Sequence, residues 1–145
     1  MKKILASLFF CFVLASAMNA QDKALGLKLG NGAQISGQFA LGDANRFEAN
    51  LGLGNRFNYL GVNGYYQWLK DLPQLGSDFK WYYGLGADLG IGNGYFGLGV
   101  GGQIGIEYNF PDIPLQISLD ATPTLNLTGR MFLWSGGGVG VRYTF

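Results

Sequence analysis

The sequence contains no histidine, and its single cysteine, Cys11, lies in an apolar segment close to the N-terminus. These absences exclude Ser-His and Cys-His nucleophilic sites and histidine-ligated metal centres, because the rest of the chain lacks the residues they need. Carboxylate pairs remain available for acid-base chemistry, but no spacing singles out Asp88, Glu107 or Asp120 for that task. We therefore expect no enzyme, no catalytic residues, no metal, no cofactor and no disulfide.

Charge and proline are also scarce. Charged residues make up 13% of the chain, and the formal net charge is +1. Lys2 and Lys3 supply two of the positive charges, so the chain without them carries −1. This balance excludes the basic surface that nucleic acid requires. Only 4 of 145 residues are proline whereas 25 are glycine, which argues against a proline-rich disordered chain and suits closely packed strands.

The first 20 residues have the pattern of a secretory signal peptide. Met1-Lys2-Lys3 supplies positive charge, Ile4–Leu14 is apolar, and small residues follow. The apolar run is shorter than the ~20 residues of a membrane-spanning helix, which argues against a retained anchor. Cleavage after Ala17 and cleavage after Ala20 both fit the pattern. With the second as the working boundary, we predict a signal peptide at 1–20 and one domain at 21–145.

Beyond residue 20 the apolar residues recur at every second position, which is typical of β-strands. Asn31-Gly32 and Asn93-Gly94 are hairpin signals, and Pro123 predicts a local bulge. The alternation predicts eight strands, at 25–30, 34–39, 47–53, 58–69, 81–91, 96–108, 115–126 and 139–145. An even number of strands joined by short turns predicts an all-β fold, a closed eight-stranded antiparallel up-and-down barrel that crosses a membrane.

The C-terminal segment alternates apolar with polar or glycine residues and ends on an aromatic residue. Val141, Tyr143 and Phe145 look like the sorting signal that the barrel-assembly machinery reads on Gram-negative outer-membrane proteins. The chain beyond residue 20 resembles the small eight-stranded OmpA/OmpX-type barrels, known as outer membrane protein β-barrel domains. The resemblance implies a monomer in the cell outer membrane, in contact with its lipid, that meets the assembly machinery and periplasmic chaperones during biogenesis. It implies a structural or surface-interaction role.

The aromatic residues fall into two groups at opposite strand ends, as expected of rings at the two membrane interfaces. The predicted periplasmic group comprises Trp68, Trp81, Tyr108, Phe110, Tyr143 and Phe145. The predicted outer group comprises Phe57, Tyr59, Tyr95, Phe96 and Trp134. The connections predicted at the outer end are very short, which argues against an adhesin that binds through its loops.

Six ionisable residues take the inward phase of the predicted strands. An eight-stranded barrel is only wide enough to be filled by side chains, so inward charges must pair. We predict a lumen ion-pair network in which barrel closure brings Arg142 and Lys28 together. Its members are Lys28, Glu48, Asp88, Glu107, Asp120 and Arg142. A plug satisfies this pattern, and a proton or ion path and a paired-carboxylate site remain open alternatives.

The segment before the last strand places one cation beside aromatic residues at the predicted outer surface. Arg130, Phe132 and Trp134 fit a contact with lipid A, in which the guanidinium meets phosphate and the rings enter acyl chains. The same residues also fit a strand extension with interface anchoring. Both interpretations stay open from the sequence.

A soluble alternative inverts the two faces of the sheet. A secreted, lipocalin-like barrel that carries a small apolar ligand would have an apolar lumen and a polar outer surface. Periodicity alone does not tell which face is inside. The terminal Phe145 and the two aromatic groups favour the membrane barrel.

Overall fold

A computed structural model describes residues 23–30, 32–54, 59–92, 94–128 and 132–145. The predicted signal peptide lies outside these residues. Eight β-strands follow one another along the chain: β1 Lys23–Gly30, β2 Gly32–Ala40, β3 Asn45–Gly54, β4 Tyr59–Asp71, β5 Phe79–Gly92, β6 Tyr95–Asn109, β7 Leu115–Asn126 and β8 Phe132–Thr144. Among the described residues, no helix is long and apolar enough to cross a membrane.

The strands form one closed antiparallel barrel in which each strand pairs with its neighbours in the sequence. Strand β8 returns to β1, with Ala24 opposite Thr144 and Leu29 opposite Val139. Two further backbone hydrogen bonds, of 3.2 and 2.9 Å, join Lys23 to Phe145. The predicted all-β fold, a closed eight-stranded antiparallel barrel, is confirmed.

The apolar side chains lie on the outside of the barrel, and the polar ones lie inside. Only Ala24, Tyr65 and Tyr82 are buried among the apolar and aromatic residues described, whereas 25 large apolar side chains are exposed. The buried polar side chains are Lys28, Ser36, Gln38, Arg46, Glu48, Asn50, Gln67, Gln103, Glu107, Gln116, Ser118, Asp120, Thr124 and Arg142. The interior is therefore held by hydrogen bonds and ion pairs instead of by an apolar core.

Glycines opposite the two buried tyrosines let the rings lie against the barrel wall. Gly86 faces Tyr65 across the β4–β5 ladder, and Gly105 faces Tyr82 across the β5–β6 ladder. A Cβ on Gly86 would come within 2.6 Å of the Tyr65 ring, and a Cβ on Gly105 within 2.5 Å of the Tyr82 ring. Real Cβ atoms do not approach so closely, so these ring positions require glycine.

A β-bulge interrupts the β7–β8 ladder beside Pro123. Ala121 pairs with Gly137 and Pro123 with Trp134, so β8 has one more residue than β7 between these pairs. Gly136 takes a φ of 116°, which favours glycine. The predicted irregularity at Pro123 is confirmed, but the extra residue belongs to β8. Strand β8 begins at Phe132, earlier than the predicted start at residue 139. The prediction missed the first half of the strand because its glycines break the apolar alternation.

The two ends of the barrel differ, and we name them by the termini. The near rim holds Lys23 and Phe145 and the connections 41–44, 72–78 and 110–114. The far rim is the opposite end of the barrel, where Gly30 pairs with Gly32 and Gly92 with Tyr95. The near-rim connections contain four to seven residues, whereas one residue separates β1 from β2 and two residues separate β5 from β6.

Aromatic rings contact one another around the near rim. The ring pairs, with centroid separations of 4.7 to 5.8 Å, are Tyr66–Trp68, Trp68–Tyr83, Trp81–Tyr83, Phe79–Tyr108, Tyr108–Phe110 and Tyr143–Phe145. All six residues that the sequence assigned to the periplasmic end lie in this belt. At the far rim, Phe96 is exposed, Phe57 lies outside the described residues, and the side chains of Tyr59, Tyr95 and Trp134 are not among those described.

Candidate functional site in the barrel lumen

The carboxylate of Glu48 is the centre of the lumen. Its side chain is fully buried and receives two cations, the Lys28 ammonium and the Arg142 guanidinium, each at 3.2 Å. Four amide side chains also donate to its two oxygens at 2.8 to 3.1 Å: Gln38, Asn50, Gln67 and Gln103. Because the donors come from five other strands, this one carboxylate joins most of the barrel wall.

The Arg142 guanidinium also contacts side chains of β2 and β7. Its Nε donates to the Ser36 hydroxyl at 2.9 Å and its Nη1 donates to the Ser118 hydroxyl at 2.7 Å. Nη1 also donates to the Gln116 side-chain oxygen at 3.3 Å. A buried guanidinium has five donor hydrogens that need partners, and these three hydrogen bonds together with the one to Glu48 use four of them. Arg142 is therefore fixed in place from β2, β3 and β7.

Asp120 is the second buried carboxylate of the cluster. The Lys28 ammonium lies 2.8 Å from its Oδ2, and the Tyr82 hydroxyl donates to the same oxygen at 2.8 Å. Gln103 also donates to Oδ2 at 3.2 Å. Lys28 therefore bridges Glu48 and Asp120. The structure brings four of the predicted network residues into one cluster: Lys28, Glu48, Asp120 and Arg142.

Glu107 belongs to a separate ion pair closer to the near rim. Its partner is Arg46, whose Nη2 lies 2.6 Å from the carboxylate. The Nε of Arg46 donates to Gln67, which links this pair to Glu48. Sequence reasoning missed Arg46, although its parity matches that of the inward Glu48 and would have placed it in the lumen.

Asp88 does not join the cluster. It is half-buried nearer the far rim, where the Tyr65 hydroxyl donates to it at 3.0 Å and the Thr124 hydroxyl at 3.2 Å. None of the described Lys or Arg side chains lies within ion-pair distance of its carboxylate. The predicted six-residue network is thus divided into a cluster of four, a separate Arg46–Glu107 pair, and Asp88, which is bound by hydroxyl groups.

The polar residues separate two spaces inside the barrel. A vestibule of about 690 Å³ opens at the near rim, and its lining includes Gln38, Arg46 and Glu107. A cavity of about 150 Å³ lies towards the far rim, and its lining includes Lys28, Tyr65 and Asp88. The side chains between them are those of the Glu48 cluster, so the lumen is plugged at its middle. Such a barrel has no wide channel for solutes.

The residues of the predicted assembly signal lie on the outer face of β8. Val141 and Tyr143 are exposed, and the ring of Phe145 lies 5.8 Å from that of Tyr143. The inward neighbours Gly140 and Arg142 are buried. The three residues therefore present one apolar stripe next to β1 at the near rim.

The predicted lipid A contact lies largely outside what the structure describes. Arg130 is outside the described residues, and of Phe132 and Trp134 only the backbone, in β8, is described. The backbone pairing of Phe132 with Leu125 and of Trp134 with Pro123 agrees with a strand extension at this position. The lipid contact stays a prediction.

Within the described ranges, no three Asp, Glu, His or Cys side chains converge in a way that would hold a metal ion. No protein-family model matches the chain, and no curated protein matches it.

Proposed function

We propose that this chain is an integral protein of the cell outer membrane, a non-catalytic β-barrel with a structural or surface-interaction role in a Gram-negative envelope. The observation that carries the proposal is the distribution of polarity. The barrel wall is apolar outside and its lumen is filled by ion pairs and amides. A lipid bilayer is the surroundings in which that arrangement is favourable.

Burial of the outer surface in lipid accounts for the exposed apolar residues. Soluble monomers seldom expose apolar patches larger than a few hundred Å², and here exposed leucine, isoleucine, valine and phenylalanine residues occur on every strand of the barrel. Closure of β8 on β1 leaves no unpaired strand edge. A closed barrel is one of the two structures that satisfy all backbone hydrogen bonds within lipid.

The near-rim aromatic belt supports the same proposal. Trp68 stacks on Tyr83 at 5.5 Å, and Trp81 contacts the same ring at 5.4 Å. Tryptophan and tyrosine rings accumulate where a membrane protein passes from hydrocarbon to headgroups. The belt would therefore mark one boundary of the bilayer, with the longer connections and both termini on its water side.

The soluble, ligand-carrying alternative is disfavoured by the lumen. The two spaces inside the barrel are lined by charged side chains, among them Arg46 and Glu107 in the vestibule and Lys28 and Asp88 in the far-rim cavity. Uncovering these charges to an apolar ligand would cost several kcal/mol per ion. One residue separates β1 from β2 and two residues separate β5 from β6, which leaves little chain for recognition by loops and favours a role carried by the barrel itself.

Heat modifiability on SDS gels tests the proposal. We expect the protein in the outer-membrane fraction to migrate differently before and after boiling, because a closed barrel resists SDS until heated. Deletion of Phe145 should abolish the shift, since it removes both the terminal aromatic residue and its pairing with Lys23. Phe110→Ala, which removes an aromatic residue of the same rim outside β8, is the control and should retain the shift. A soluble periplasmic protein without any shift would refute the membrane proposal.

A further inference from the structure

The far-rim cavity is lined by a carboxylate that has no cationic partner among the described residues. Asp88 borders this space of about 150 Å³. Hydroxyl groups of Tyr65 and Thr124 donate to it at 3.0 and 3.2 Å. An ionised carboxylate offers about four acceptor positions, so it retains acceptor capacity after these two hydrogen bonds.

Asp88 differs from the other described carboxylates on the inward face of the strands. These carboxylates are Glu48, Asp88, Glu107 and Asp120. All of them except Asp88 lie in ion pairs of 3.2 Å or shorter. Among the described residues, Asp88 is therefore the lumen carboxylate that a cation in the cavity could pair with.

Lys28 also lines the cavity, but it is not the counter-ion of Asp88. Its ammonium is shared between Glu48 at 3.2 Å and Asp120 at 2.8 Å. Its positive charge instead disfavours a second cation deep in the cavity. The site is therefore suited to a ligand with a single positive charge that stays close to Asp88.

The walls leave room for a small organic molecule. Glycine residues form much of the lining, at Gly30, Gly52, Gly61, Gly137 and Gly138. The volume of about 150 Å³ is several times the space that one ordered water molecule needs. Asn63 faces Asp88 across the β4–β5 ladder and also lines the space, so an amide group stands next to the carboxylate.

A primary ammonium group fits these features better than a metal ion. Metal ions such as calcium require six or more oxygen ligands, whereas the backbone carbonyls of this region are used in the strand ladders. An ammonium group needs only hydrogen-bond acceptors, and one ionised acceptor gives a charge-assisted bond. We propose that the far-rim cavity binds a small compound with one primary ammonium group, with Asp88 as its counter-ion.

Amide NMR spectra of the refolded protein in detergent micelles test this proposal, with methylammonium chloride as the probe. We expect saturable shifts at Asp88, Asn63 and their neighbours. Tetramethylammonium has the same charge but no N–H donor, and potassium chloride reports on ionic strength alone. Both should give shifts at these residues at least tenfold weaker at equal concentration.

Asp88→Asn removes the charge and keeps an oxygen that accepts from Tyr65. We expect it to weaken methylammonium binding at least tenfold. Asp112→Asn, in an exposed near-rim connection, is the matched control and should bind like the unaltered protein. Undiminished binding by Asp88→Asn, or equal shifts with potassium or tetramethylammonium, would overturn the proposal. If Asp88→Asn does not fold, the comparison of the three salts on the unaltered protein decides.

Discussion

Gly105 lies directly across from Tyr82, and the tyrosine ring fills the space that a side chain on Gly105 would occupy. The ring is fully buried, and its hydroxyl donates to Asp120 at 2.8 Å. The same hydroxyl would lie 2.6 Å from a Cβ at position 105. A glycine on the barrel wall therefore determines where an aromatic ring and a buried carboxylate meet.

Gly105→Ala should destabilise the barrel. The new Cβ would lie 2.5 Å from the Tyr82 ring and 2.7 Å from the Asp120 Cβ, so the ring must move away from its acceptor. We expect a loss of about 1–3 kcal/mol in the free energy of unfolding, typical of overpacking. Urea unfolding followed by tryptophan fluorescence in phospholipid vesicles measures it.

Gly102→Ala is the matched control in the same strand. Its Cβ would lie 3.6 Å from the nearest atom, the Gly84 carbonyl oxygen, which is an ordinary contact. We expect a change of less than about 0.5 kcal/mol. Equal losses in the free energy of unfolding for the two variants would contradict the conclusion that the Tyr82 ring requires glycine at position 105.

Glu48→Gln should be the most destabilising neutral substitution in the lumen. It removes the carboxylate that Lys28 and Arg142 share and leaves the buried Arg142 without its counter-ion. Breaking a buried ion pair in this way costs about 3–5 kcal/mol. The same urea experiment measures the loss, and Asp112→Asn serves as the exposed control.

The double substitution Glu48→Gln with Arg142→Gln tests how much of each single loss comes from leaving a buried charge without its partner. Removing one cation together with the carboxylate should cost less than the sum of the two single substitutions, because fewer buried charges lack partners. Additive losses would show that the two residues contribute independently of their 3.2 Å contact.

Leu85→Arg tests whether the outer wall of the barrel faces lipid or water. Leu85 is 65% exposed near the middle of β5. A cation at the midplane of a bilayer costs about 2–4 kcal/mol, whereas an exposed leucine of a soluble protein tolerates the change within about 0.5 kcal/mol. Unfolding in vesicles should therefore show a large loss.

Leu75→Arg is the companion of this experiment. Leu75 is 56% exposed, similar to Leu85, but it lies in the near-rim connection 72–78. Because this position lies outside the strands, we expect little change there. The membrane proposal does not survive if Leu85→Arg is as mild as Leu75→Arg.

Strand number and phase could be predicted from the sequence because alternation with a period of two is a local property. Strand β7, for which the alternation is cleanest, was predicted with its observed bounds, Leu115–Asn126. The start of β8 was missed because the glycines at 136–138 carry no apolar signal. Which face points inward is not a local property, and only the closed barrel with its burial pattern decides it.

The membership of the lumen cluster was only partly predictable. Inward parity identifies which ionisable residues enter the lumen, but their height along the axis depends on the register of all eight strands. Asp88 therefore lies too close to the far rim to reach the Glu48 cluster. Arg46 has the inward parity but stands at the start of its strand, before the first clear alternation. The positions of Gly86 opposite Tyr65 and of Gly105 opposite Tyr82 depend on cross-strand register, so the sequence alone does not predict them.

The pairing of β8 with β1 has a consequence for how the protein reaches this structure. Seven ladders join strands that follow each other in the sequence, and each can form as a local hairpin. The eighth ladder joins the first and the last strand, so it carries the largest entropy cost of loop closure. Lys28 and Arg142 lie on these two strands, and both bind Glu48 on β3. Closure of β8 on β1 therefore also completes the pair of cations at Glu48, and a barrel that is still open would have both an unpaired strand edge and an incomplete ion-pair cluster.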